Sequence, residues 1–196
     1  MIRKRLTKGE IEKSANQALQ DHDYNSIIPV PVDLMVERLP ADVVPKKGML
    51  DRIGIDAFWS NDFSELYIDE ERYMSNHNHR GRFTLAHELG HYYLHRTEGT
   101  QFSSLESWKK HVQGNTSLRK VEEWEANQFA GFLLVPSVEL QKKFRHLKEH
   151  DKSYKCFIGE DEPDEAIASF FLDELSKHFE VSTVRMEIRL KNFKDY

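Results

Sequence analysis

The chain has 196 residues, 39% hydrophobic and 31% charged, with a formal net charge of −5. That length supports one substantial core, and the acidic balance argues against a protein whose main task is gripping nucleic acid. No apolar run is long enough to span a membrane, and the single cysteine, Cys156, allows no internal disulfide and gives no sign of export.

In chain order, the first eight residues are basic with no apolar stretch behind them, so no secretory signal is expected and the expected compartment is the cytoplasm. Ile11, Ala15, Ala18 and Leu19 recur at helical spacing and predict a first helix over 8–22. Pro29 and Pro31 force an extended connector, after which Asp33 is expected to cap a short helix through Leu39. The texture then becomes strand-like. Residues 53–59 and 65–69 alternate around the turn residues Ser60-Asn61-Asp62, and a further strand is expected from near Val43. Two or three antiparallel strands are expected.

A helix is predicted from about Arg82 to His95. It is apolar on two sides, with Phe83 and Leu94 on one and Leu85, Ala86, Leu89 and Tyr93 on the other, which makes it a buried helix. Residues 97–117 are polar and predict a long loop. A second strong helix spans about 117–134 and stops before Pro136, and a third begins near Ser137. The charged stretch 150–165 is expected to be irregular and exposed, with helices following and a break at Glu180-Val181-Ser182. The expected organisation is therefore a core over 1–150, an exposed linker or insertion over 151–165, and a helical segment over 166–196 packed on the core.

The chemistry concentrates in His87-Glu88-Leu89-Gly90-His91. Histidines at i and i+4 share one helix face, so two imidazoles can converge on one zinc ion. A carboxylate at i+1 projects beside them, placed to serve as base. His95 lies about 12 Å along the helix from His87, too far to share an ion with it, so its expected role is to orient a ligand. The third ligand is sought in the helix at 117–134. Leu118, Val121, Phe129 and Phe132 fall within roughly 40° of Glu125 on a helical wheel. A carboxylate in the middle of an apolar stripe needs a partner, and a metal would supply one. Glu123 lies nearly opposite and is expected to be solvated, as is Glu122, which is held as the reserve ligand.

Residues 82–95, RFTLAHELGHYYLH, together with EANQFAGFLLVP at 125–136, resemble the ImmA/IrrE family of metallo-endopeptidases. The resemblance implies an α+β, zincin-like fold: a small antiparallel sheet against a mainly helical body with the motif helix buried. It implies one Zn2+ on His87, His91 and Glu125, with Glu88 as base. It also implies intracellular cleavage of a protein partner, such as a helix-turn-helix transcriptional repressor. An oxyanion donor is sought among Tyr92, Tyr73, His77, His79 and His95. Phe171–Leu190 has the texture of a helix-turn-helix, in which Arg185, Arg189 and Lys191 would face DNA. Packing of these helices on the core is the favoured reading. The alternative is a DNA-associated regulatory or antitoxin-like module with a structural zinc.

Overall fold

The computed structural model describes residues 5–74, 78–96, 110, 114, 116–159 and 162–191. Helix α1 (Lys8–Asp21) starts at a capping box in which Thr7 and Glu10 satisfy each other's backbone N–H groups. Its face of Ile11, Ala15, Ala18 and Leu19 is buried, as the spacing predicts. Helix α2 (Val32–Glu37) starts one residue before Asp33, so Asp33 sits in the first turn and no side chain caps the end.

Three strands follow, β1 (Asp42–Lys46), β2 (Ala57–Trp59) and β3 (Glu65–Asp69), with the short helix α3 (Met49–Ile53) between β1 and β2. The sheet order is β1-β3-β2. The expected antiparallel sheet is in fact mixed: β2 pairs antiparallel with β3, but β1 pairs parallel to it. A tight loop closes the β2–β3 hairpin, where Asp62 accepts from the Ser60 and Ser64 hydroxyls at 2.7 Å each. Between β1 and β3, by contrast, lie α3 and β2, enough chain for the crossover a parallel pair requires. This order leaves β2 on an edge.

After α4 (Glu70–Met74), Asn78 caps helix α5 (His79–His95) by accepting from Gly81 N–H at 2.8 Å. Helix α6 (Ser117–Leu134) begins at Thr116, whose hydroxyl accepts from Arg119 N–H. It packs against both α5 and α1, with Phe129, Leu133 and Leu134 wholly inside. Each such side chain contributes about 1.5–3 kcal/mol by leaving water. Helices α5 and α6 meet at Gly90. A Cβ there would lie 2.9 Å from Ala126 Cα and 3.2 Å from Phe129 Cβ, so only glycine lets the two backbones come this close.

Helices α7 (Ser137–His150), α8 (Ser153–Phe157), α9 (Asp164–Phe170), α10 (Leu172–Phe179) and α11 (Thr183–Lys191) complete the chain. The stretch expected to be irregular and exposed carries α8, whose Tyr154 is buried edge-on against Phe171 at 6.0 Å. Cys156 beside it is exposed. Glu180 takes a left-handed φ of 50° and makes the expected break before α11. Arg189 is 4% exposed: its Nε donates to Val135 O at 3.0 Å and its guanidinium covers the Phe132 ring. Lys191 pairs with Glu187 at 2.7 Å. Arg189 therefore serves the interior, where a DNA reader cannot be. Among the described residues no helix is long and apolar enough to cross a membrane.

Gly90→Ala is expected to push α5 and α6 apart and lower stability by about 1–3 kcal/mol. Thermal denaturation of the two proteins measures this, and an unchanged midpoint would show that the helix contact yields freely.

Candidate metal centre and cleft

Helix α5 turns His87 and His91 to one side, as the i, i+4 spacing predicts, with their Nε2 atoms 3.1 Å apart. The carboxylate that joins them comes from Glu123, which the sequence assigns to solvent. Its Oε1 lies 3.2 Å from His91 Nε2 and its Oε2 3.2 Å from His87 Nε2. Among the described residues, His87, His91 and Glu123 form the one cluster whose donor atoms lie close enough together to share a metal ion. Arg119, one turn earlier on α6, pairs with Glu123 Oε1 at 2.5 Å.

Glu125, the expected third ligand, points elsewhere. It is fully buried, accepts from Leu6 N–H at 2.7 Å through Oε1, and lies 2.9 Å from His95 Nε2 through Oε2. His95 in turn lies 2.8 Å from His91 through the two Nδ1 atoms. The apolar stripe of α6 faces the core and α1, so its centre is shut off from any cleft. Glu123 lies nearly opposite that stripe's centre with its side chain 35% exposed, where it can meet both the histidines and solvent. The wheel located the carboxylate that needs a partner, and the partner is His95 with the backbone before α1. Glu122 is buried, not solvated, and stands outside the cluster.

The three separations between donor atoms can be compared with a metal's demands. Ligands at about 2.0–2.1 Å in a tetrahedral zinc site lie about 3.3 Å from one another. The two Nε2 atoms, 3.1 Å apart, fit that edge, and Glu123 brings one carboxylate oxygen to 3.2 Å from each of them. If His91 offers Nε2, its Nδ1–H donates to His95 Nδ1, and His95 Nε2–H donates to Glu125 Oε2. Every proton in the chain is then placed by the network around it. Glu88 adds a further sign. It is 4% exposed, and its Oε2 has no hydrogen-bond partner among the described residues. A buried, unpaired carboxylate oxygen beside the ligand cluster calls for a donor that binds there.

The electrostatics agree. Burial pushes Glu88 up to about 7 and His91 down to about 3, so the His91 imidazole is neutral with a lone pair to give. At Glu123 burial opposes ionisation, yet the hydrogen bonds with His87 and His91 outweigh it and hold the carboxyl well below the usual range. At His87 burial disfavours the cation, but the Glu123 partner wins and raises it. In this form Glu123 and His87 make an ion pair that a dication would replace, displacing a proton.

A cleft of about 910 Å³ opens over these residues, bounded by α5, α6, the Ala57 end of edge strand β2 and the start of α11. Of the expected oxyanion donors, His79 lines it. Tyr92 is packed against Trp59 and Phe63, and its hydroxyl pairs with Arg96. Tyr73 lies on α4, where burial and the nearby charges of Glu37 and Asp33 raise its hydroxyl. His77 lies outside the described residues, as does most of the 97–117 loop. Sequence reading missed Trp59, whose Nε1–H donates to Glu88 O at 2.8 Å and ties β2 to the motif helix. It also missed Arg119, signalled only by its i, i+4 spacing to Glu123.

Residues 56–191 match the family model described as Peptidase_M78, IrrE N-terminal-like domain. The chain belongs to this family. The match spans both ligand helices and the cleft, and a metallopeptidase family implies a metal at the cluster. No curated protein matches the chain. Among solved structures it is similar to one described as a Mycobacterium tuberculosis transcriptional regulator, with a TM-score of 0.52 and 14% identity. That likeness covers 91% of this chain and 45% of the other, so the chain spans less than half of its neighbour's length. At this identity the likeness bears on the fold alone.

Exchanges at the two glutamates separate their roles. Glu123→Ala is expected to reduce zinc affinity by well over a hundredfold, whereas Glu125→Gln weakens it about 10–100-fold through His91 and also destabilises the fold. Competition titration with a chelator reads the first effect, and denaturant unfolding the second. Equal losses of zinc affinity from the two would return Glu125 to the ligand set.

Proposed function

We propose that the protein is a zinc endopeptidase that hydrolyses a peptide bond in a protein partner, with His87, His91 and Glu123 holding the ion and Glu88 moving the proton. The observation that carries this is the Oε2 of Glu88, buried and unpaired beside the three converging ligand atoms. A purely structural site has no use for such a group. When bound, zinc supplies Lewis acidity, which activates water at neutral pH and polarises the scissile carbonyl.

Glu88 then accepts the water's proton and delivers it to the departing nitrogen, a task suited to a carboxyl that burial has made more basic. Trp59 holds the Glu88 backbone against β2, and Glu125 acting through His95 fixes the orientation of the His91 ring. His79 is the oxyanion donor best supported by position, since it lines the cleft. The family resemblance makes a helix-turn-helix repressor the first protein partner to test. The DNA-module reading loses support because Arg189, one of its three cations, is spent inside the core and Lys191 is paired.

Glu88→Gln should retain zinc and lose hydrolysis by about 10²–10⁴-fold. Metal analysis with cleavage of a candidate repressor checks both halves. A variant that binds zinc and cleaves at the wild-type rate would refute Glu88 as the base.

A further inference from the structure

The cleft's unspent charge is opposite in sign to that of the chain. Two of its three carboxylates are held by cationic partners, and the third is almost wholly withdrawn from solvent. Asp56 is shared by Arg72 at 2.7 Å and Arg80 at 3.0 Å, Glu88 is buried at the motif, and Glu123 is held by the two histidines and Arg119. Two cations on the lining are left over, Lys120 on α6 and Arg185 on α11. Among the described residues neither has a carboxylate partner. In a protein of net charge −5, leftover positive charge gathered at a concave site selects for negative ligands.

Arg185 is the better placed of the two. Its guanidinium carbon sits over the Phe83 ring, 3.6 Å from the centroid, and burial lowers its pKa with no charged neighbour contributing. A guanidinium seated over a ring has N–H edges to offer, and those edges match a carboxylate with two parallel hydrogen bonds. Phe83 in turn contacts His87, with ring centroids 6.4 Å apart. The guanidinium therefore lies within about 10 Å of the metal-site imidazole, about three residues of an extended strand.

Taking the endopeptidase reading as its basis, we propose that Arg185 is a specificity-determining residue. Its guanidinium receives the carboxylate of an Asp or Glu two or three residues from the scissile bond of the substrate. The preferred substrate segment is acidic on the side that lies along α11, and Lys120 on α6 adds attraction elsewhere on the lining.

The test uses zinc-loaded full-length protein and fluorogenic decapeptide mixtures in which one Glu, Gln or Lys is stepped through each position. Wild type should favour Glu at one position near the bond cut, by about tenfold in kcat/KM over Gln, the size of one charge-assisted contact. Arg185→Gln should erase that preference, bringing the Glu-to-Gln ratio of kcat/KM to within about twofold of one, and Arg185→Glu should turn it toward Lys. A merely structural arginine would not reverse the preference with its charge. Binding of the same peptides to Glu88→Gln protein, read by fluorescence anisotropy, runs in parallel. Acid preference in binding that is lost in the Glu88→Gln/Arg185→Gln double variant, without cleavage by wild type, upholds the anchor and sinks the peptidase reading. Cleavage with no acid preference, or preference that survives Arg185→Gln, overturns the anchor and spares the peptidase reading. Absence of acid preference in both assays also overturns it.

Discussion

The contact of α5 on α6 at Gly90 is the constraint from which the centre follows. Helices that carry ordinary side chains at their crossing stand about 8–10 Å apart, and the short Glu123 side chain must reach both imidazoles from the neighbouring helix. With no Cβ at Gly90, Ala126 and Phe129 come up against the α5 backbone within one turn of His87 and His91, and Ala126 is within one turn of Glu123. The glycine in the middle of the motif thus sets how near the second ligand helix can lie. Its cost in helix propensity, about 1 kcal/mol, is offset by the packing it permits.

That packing creates a second demand. The same helix that offers Glu123 to the cleft turns Glu125 into the interior, where an unpaired carboxylate would be costly. The fold answers with two donors from distant parts of the chain, the His95 ring and the Leu6 backbone N–H. Leu6 precedes the capping box of α1, so the segment leading into the first helix is joined through Glu125 and His95 to His91. The His91 ring is thereby held directly by His95 and, through it, by Glu125, which stands outside the cluster. This arrangement resists the rotation of His91 that would separate its Nε2 from Glu123 and His87.

Charge is sorted in the same way. The buried Arg189 is given an internal acceptor in Val135 O, and the cleft carboxylates Asp56 and Glu123 are given internal donors. The cations left without a carboxylate partner on the cleft lining are Lys120 on α6 and Arg185 on α11. The last helix, which by sequence has the texture of a DNA reader, packs on α9, α10 and α6 and contributes Arg185 to the cleft lining.

The sequence by itself determined the local matters. Periodicity located helices over 8–22, about 82–95 and about 117–134, within three residues of the observed ends, because each buries side chains that must recur at about 3.6 residues. The i, i+4 spacing brought His87 and His91 together, because helix geometry allows nothing else. The wheel also identified Glu125 as a buried charge in need of a partner, which it is. What the wheel could not contain was which neighbour each face of α6 meets. That choice, made by the close approach at Gly90 and by α1 on the other side, gave Glu123 to the histidines and Glu125 to His95 and Leu6. Sheet direction was undecided for the same reason. β1 and β3 are too far apart in sequence for any turn to fix their sense, so the path of the chain between them made the pair parallel. Spacing along one helix is a local property, whereas the partner of a side chain depends on which helix lies against it, and only tertiary packing decides that.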